Sequence, residues 1–440
     1  MYNNKRIWSV SYPILLSLLA QNIINVTDTA FLGHVSEVAL GASAMGGLFY
    51  ICIFTIAFGF SVGSQIVIAR RNGEGDYAQV GPVMIQGSLF LLVLAAFLYT
   101  MSRLFGGNIM YLLVSSEEIY DSTMSFLNWR ILGFFFSFGN VIFRAFYIGI
   151  TRTKVMTINA IIMAITNVGL DYVMIFGKFG CPAMGVEGAA IASVIAEASS
   201  MLFFLIYTYI TVDFKKYGLN KFTSIDFKLL GRILNISCFT MLQYFLSMGT
   251  FFVFFVVVER IGQRELAIAN IVRSIYIILF IPVNSLATTA NSLVSNAIGA
   301  GGIKQVINLV KRIATMSLAI MLVMAGLMAL FPQTILSIYT NDASLIQDCV
   351  PSIYVISFAM LIASVSNVVF NSISGTGNTL PALYLECFTL VFYVLYILFV
   401  GSYLRQPVEI CFTSEIVYYS MLLITSIIYL KKANWQNKRI

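Results

Sequence analysis

Charge is what this sequence has least of. Only 10% of its 440 residues are Asp, Glu, Lys or Arg, against about 25% in a typical soluble domain. Together with 59% hydrophobic residues and a mean hydropathy of +0.89, this leaves too little polar surface to cover a water-exposed globule. Histidine occurs once, as His34, in a connector, so no histidine-based metal centre or catalytic triad can be assembled. The six cysteines have no metal-ligand spacing. Cys52, Cys238 and Cys387 fall inside apolar runs, where the thiol behaves as a small hydrophobe, and no disulfide framework is expected. No GxxxxGK[ST] segment is present, so energy is expected from an ion gradient and not from a nucleotide. The net charge of +7 does not point to nucleic acid, because the basic residues are scattered through connectors and form no single stripe.

What is there is apolar chain in long runs. At about 20 apolar residues per crossing, spans are predicted at 7–32, 40–67, 81–104, 122–148, 155–177, 187–211, 230–258, 265–296, 307–331, 351–374, 380–402 and 409–430. The first follows Lys5 and Arg6, is too long for a signal-peptide core and lacks a small-residue cleavage site, so it reads as a retained helix. Pro13 is placed to kink it.

The sequence also repeats. Gly63–Asp76 returns in degraded form at Thr289–Gly302, pairing Gly73 with Gly299 and Gly75 with Gly301 at a shift of 226. The same shift lays Gly149–Thr153 on Gly375–Thr379. Agreement of two distant segments on one offset indicates a duplication. The expected architecture is an all-α integral membrane protein of 12 transmembrane helices in two six-helix lobes. An even number of spans per repeat relates the lobes by a pseudo-two-fold along the membrane normal, a recurring plan in secondary transporters. The lobes are expected at 1–212 and 229–440, joined by a polar connector at 213–228.

Orientation follows from Lys and Arg. Eighteen, among them Lys5, Arg70, Arg152, Lys215, Lys221, Lys304, Lys431, Lys438 and Arg439, fall on one side, and five (Arg103, Lys178, Arg260, Arg264, Arg405) on the other. That excess predicts a multi-pass protein of the plasma membrane with both termini cytoplasmic.

Apart from Glu187, Glu265 and Glu409 at the very first residue of a span, five acids lie inside the spans: Asp28, Asp171, Glu197, Glu386 and Glu415. Each costs about 2.5–3.5 kcal/mol at a span centre, so such residues usually face a cavity and carry function. Ser17, Gln21, Asn25 and Asp28 recur at spacings of four, four and three, and so share one helical face. Asn167 and Asp171, four apart, share another. Spans 1 and 5 run the same way and hold their aspartates at similar depth, so the two faces can form one polar site. A carboxylate there can take a proton when poorly hydrated, or offer hard oxygen ligands to a small cation, with Na+ possible at Asp28, Asn167 and Asp171. Glu197, Glu386 and Glu415 have no acidic companion or polar stripe and are expected to be structural or to snorkel. The positions 226 beyond Asp28 and Asp171 are Phe254 and Ile397, which confines this ion site to the first half. The many Phe, Tyr and Met residues could line a drug-accepting chamber, although most are expected to face lipid or other helices.

Several segments, in order, resemble the multidrug and toxic compound extrusion (MATE) family. They are Val26–Gly33 closing span 1, Gly63–Gly73 closing span 2, Asn167–Asp171 in span 5, Gly185–Ser193 entering span 6 and Gly375–Thr379 after span 10. The resemblance implies a cation-coupled antiporter, not an enzyme, exporting organic and often cationic compounds in exchange for H+ or Na+, with no other cofactor. It maps Asp28, Asn167 and Asp171 onto the first-lobe ion site of one branch and puts Ser193 where that site often has threonine. Gln243 stands where another branch has a span-7 glutamate, and 352–373 holds none of the acid that branch has in span 10. The chain is thus most similar to the DNA-damage-inducible (DinF-like) branch. Gln21, Asn25 and Gln243 are expected to line the cavity, and the expected partners are small organic molecules and the bilayer, with the chain acting as a monomer. The alternative is a flippase of lipid-linked precursors on a related fold, disfavoured because few basic residues lie within spans.

Overall fold

The computed structural model describes residues 2–114, 116–220 and 225–437. Among them twelve helices are long and apolar enough to cross a bilayer: α1 (Asn4–Val35), α2 (Glu37–Glu74), α3 (Tyr77–Leu113), α4 (Glu117–Gly149), α5 (Lys154–Phe176), α6 (Gly185–Thr211), α7 (Phe227–Ile261), α8 (Gln263–Gly299), α9 (Ile303–Leu330), α10 (Ala343–Gly375), α11 (Thr379–Tyr403) and α12 (Val408–Lys432). Each predicted span falls on one of these to within a residue, and the all-helical membrane architecture is borne out. The helices mostly outrun the predictions because hydropathy stops where the hydrocarbon does. At 38 residues, α2 is about 57 Å long at 1.5 Å per residue, well beyond a hydrocarbon core of about 30 Å. Lys221, Lys438 and Arg439 of the basic set lie outside the described residues, as do 221–224 of the predicted connector.

Local chemistry sets the helix ends. Ser36 caps α2 by accepting the Ala39 N–H at 3.0 Å, and Asp342 caps α10 by accepting from the N–H groups of Ser344 and Leu345 at 2.9 and 3.3 Å. Such side chains replace the hydrogen bonds that a helix start lacks. Gly75 ends α2 with φ 77°, and its repeat partner Gly301 follows α8 with φ 73°. Both adopt the left-handed conformation that favours glycine.

The duplication therefore reaches the backbone. A Cβ on Gly149, ending α4, would lie 2.6 Å from Ile68 of α2; one on Gly375, ending α10, would lie 2.5 Å from the Asn291 carbonyl of α8. Helix 4 thus meets helix 2 closely in one half, as helix 10 meets helix 8 in the other. Two residues on, Thr151 and Gly377 both have positive φ, 59° and 89°.

The chain divides into two compact units, Tyr12–Met241 and Met1–Ser11 with Leu242–Ile440. The divisions fall inside α1, beside Pro13, and inside α7. In the amino-terminal unit α2 packs on α3 and α4, and α5 pairs with α6. The first half of α7 joins this unit because α2 is bare there: a Cβ on Gly63 would stand 2.6 Å from Ser237 Cα, and Thr240 Oγ1 donates to the Gly59 carbonyl at 2.6 Å. In the carboxy-terminal unit α10 is central, packed on α8, α9 and α12. Its apolar core includes Phe254, Val272, Met321, Ile356, Ile397 and Phe412.

Candidate ion-coupling site

The amino-terminal unit contains a helix pair made for close approach. The α6 sequence GVEGAAIASVIAEASS is rich in small residues, which let membrane helices come near enough for short polar side chains to meet. A Cβ on Gly188 would stand 2.8 Å from the backbone of Met174 in α5. Polar rungs follow down the α5–α6 interface. Asn159 and Ser200 exchange hydrogen bonds at 2.8 and 3.0 Å, and Ser199 reaches Thr166 at 3.4 Å. The rung of Asn167 and Ser193, with 3.4 Å between the amide and Ser193 Oγ, extends to α1.

Asn167 is the hub. With its amide nitrogen turned to the acids, it donates to Asp28 Oδ1 at 3.0 Å and to Asp171 Oδ2 at 3.2 Å. Only this orientation gives both amide atoms suitable partners, which is how an amide is assigned. Asp28 and Asp171 are also within hydrogen-bond reach of each other. Asp171 is wholly buried, and its Oδ1 has no partner. Among the described residues no Lys, Arg or His makes an ion pair with either acid. The four residues singled out for ion coupling are therefore brought together by α1, α5 and α6, around two carboxyls with no cation in contact, the charge of Arg130 reaching Asp28 only from beyond ion-pair distance.

The remaining sequence candidates lie elsewhere. Ser17 turns its hydroxyl back to the Ile14 carbonyl at 2.7 Å, and so is spent on its own helix. Gln21 and Asn25 share the face of Asp28 and are exposed. Gln243 belongs to the carboxy-terminal unit, where it is buried with Oε1 unpartnered.

The three glutamates do not snorkel. Glu197 is buried and bound by Arg130 through both carboxylate oxygens, at 2.6 and 3.0 Å. Tyr50 donates to the same carboxylate at 3.0 Å, while the guanidinium lies 3.5 Å above its ring. Sequence reasoning missed this pair because 67 residues separate its members, and helical spacing carries no signal over that range. Glu386 and Glu415 each find tyrosine partners in the carboxy-terminal unit.

Comparison with known proteins bears on the family and the fold. The MatE family model matches the chain twice, over residues 13–173 and 240–399, an offset of 227 at the starts (240 − 13) and 226 at the ends (399 − 173). The chain is 24% identical to the Probable multidrug resistance protein NorM of Thermotoga maritima over 379 residues, 86% of this chain and 81% of that protein. It is 23% identical to the Multidrug resistance protein MdtK of Yersinia pestis, over 73% of this chain and 70% of that one. Among solved structures, the outward-facing form of a multidrug resistance MATE family transporter of the MOP superfamily superposes with a TM-score of 0.91. That match has 17% identity and covers 99% of this chain and 97% of the other. With two matches to the family model that together cover most of its length, this twelve-span chain belongs to the MatE family of membrane transporters and is not an enzyme.

Proposed function

We propose that this transporter is a secondary antiporter that exports organic, often cationic, compounds in exchange for H+ or Na+, coupled through Asp28, Asn167 and Asp171 with Ser193 beside them. The observation that carries the reading is the pair of carboxyls around Asn167, held in a helix interface with no cation in contact. Two negative charges so close and so poorly hydrated cannot both persist. Binding a proton or a small cation neutralises the cluster. Release charges it again, and so favours whichever conformation lets water reach it. The cargo follows from the relatives, which are named multidrug resistance proteins.

Either ion suits the cluster: with its nitrogen toward the acids Asn167 donates to both carboxyls, and with its oxygen toward them it would offer a ligand to Na+ or accept from a protonated carboxyl. The absence of acid across 352–373, with Gln243 in α7, favours the DinF-like branch. The relatives' NorM and MdtK names, at 23–24% identity, are too distant to decide it. The domain reading is of two six-helix lobes, 1–212 and 229–440. The excess of basic residues on one side supports cytoplasmic termini, in a multi-pass protein of the plasma membrane.

The test is uptake of a cationic dye into proteoliposomes, with the proton and sodium gradients imposed one at a time. Wild-type protein should respond to one gradient, D28N to neither, and D171N with weakened ion dependence. An unchanged response of D28N would remove the proposed coupling site.

A further inference from the structure

The carboxy-terminal unit holds an acid cluster of its own. On α11, Glu386 is 2% exposed. Its Oε1 accepts from Ser247 Oγ of α7 at 2.8 Å and from the Tyr418 hydroxyl of α12 at 2.7 Å, and its Oε2 is buried with no partner. Two turns along α11, Tyr393 donates to Glu415 of α12 at 3.1 Å. The helices thus exchange reciprocal Glu–Tyr contacts, and the two tyrosine rings pack edge to face, 5.9 Å apart. Glu415 opens onto a cavity of about 20 Å³, lined by Phe251, Phe254, Phe255, Arg273, Tyr276 and Phe412 among others. That is room for about one water.

Charge balance decides what the cluster must hold. Its charged groups are Glu386, Glu415 and Arg273 of α8, so two acids stand against a single guanidinium, which makes an ion pair with neither. Arg273 lines the cavity of Glu415. Glu386 touches only neutral hydroxyls. The other titratable groups around it are Cys387 on its own helix, Tyr276 of α8, and Tyr419 of α12, which is hydrogen-bonded to Tyr276. The sole charged residue of α10, Asp348, is held by Arg264 at 2.6 Å. An ionised Glu386 would leave a charged oxygen bare inside the bilayer, whereas a proton on Oε2 leaves only a neutral hydroxyl there. A metal cation would find too few oxygens.

We propose that Glu386, with Ser247 and Tyr418, is a second proton-binding site, separate from the aspartate cluster and located in the other unit. Subtracting the repeat shift gives Ala160 (386 − 226) and Ala189 (415 − 226), both buried in the amino-terminal unit. The second half therefore bears its acids on the equivalent helix pair but at positions that are alanine in the first. This inference does not rest on the antiport reading and can be tested without cargo.

The experiment is infrared difference spectroscopy of the full-length protein in lipid, titrated with alkali. Wild-type protein should show a neutral-carboxyl C=O band at neutral pH that is lost on alkalisation. E386Q should lack that component, and D28N should keep it. Should E386Q not fold, Y418F removes a donor to the carbonyl oxygen and should shift the same band to higher frequency. A band unchanged in E386Q or unshifted in Y418F overturns the assignment. A band that survives every pH at which the protein stays folded overturns the exchangeable site and leaves a fixed structural proton.

Discussion

Two positions in the duplicated unit have each been filled in two ways. Where the amino-terminal half has Asp28 and Asp171 around Asn167, the carboxy-terminal half has Phe254 and Ile397, 226 residues on. Phe254 and Ile397 are 3% and 0% exposed and belong to one apolar core, with the rings of Phe254 and Phe412 tilted against each other, centroids 4.9 Å apart. Yet the backbone devices of the two halves match, down to the left-handed Gly75 and Gly301 and the close-packed Gly149 and Gly375. The shared frame fixes where helices meet, and the side chains at one crossing decide whether it stores charge or only cohesion.

The largest effect is expected from making the first half like the second. The double variant D28F/D171I should fold and insert, because it replaces two costly acids with apolar residues, while gradient-driven dye uptake falls to background, a loss of at least about tenfold. The uptake assay and a detergent melt read the two outcomes together. The converse, F254D, places a carboxylate in a core with no donor. It should lower stability by about 3 kcal/mol or more, seen as a lower melting temperature and poor yield. An F254D protein as stable as wild type would mean that the core is not dry.

Next in size is the contrast between the two kinds of buried acid within the amino-terminal unit. Glu197 has its charge matched by Arg130 at 2.6 Å, and Asp28 and Asp171 have no such match. R130M should therefore destabilise by about 3–5 kcal/mol by stranding Glu197, and the double variant R130M/E197M should recover most of that loss. Chemical denaturation of the single and double variants gives the coupling directly. Equal stability of R130M and wild type would mean that Glu197 was never ionised.

How much of this was legible follows from range in sequence. The spans were readable because twenty consecutive apolar residues have few alternatives, and the four-residue spacing of Asn167 and Asp171 is itself a statement of a shared helix face. Which helices would meet was not readable from periodicity alone, so Arg130 gave no sign of Glu197. Glu415, Tyr418 and Tyr419 did form a stripe at spacings of three and four, but tyrosines in an apolar helix are expected to face lipid or other helices. Ser17 shows the reverse failure. It shares the spacing of Asp28, yet its hydroxyl bonds within its own helix, because a membrane serine can satisfy itself on the preceding turn.

A smaller effect tests whether the shared frame is equally tight in both halves. In G375A the new methyl would meet a backbone carbonyl, Asn291 O at 2.5 Å; in G149A it would first meet the Ile68 side chain at 2.6 Å. A side chain can change rotamer, but a helix backbone must move as a body. G375A should therefore cost more than G149A, within the about 1–3 kcal/mol typical of overpacking, as measured by thermal unfolding.

The smallest effect is expected at Gln243. Its amide oxygen is buried and unpartnered, so Q243L removes an unsatisfied polar group while keeping its bulk. Truncating a satisfied partner would cost stability; removing an unsatisfied group should change it by less than about 1 kcal/mol, with the sign toward stabilisation. If coupling runs through the aspartate cluster, Q243L should also keep its response to the proton and sodium gradients while altering cargo preference at most. Loss of ion dependence in a stably folded Q243L would move the coupling ion into the carboxy-terminal unit, and the asymmetry between the halves would then be one of sequence without being one of function.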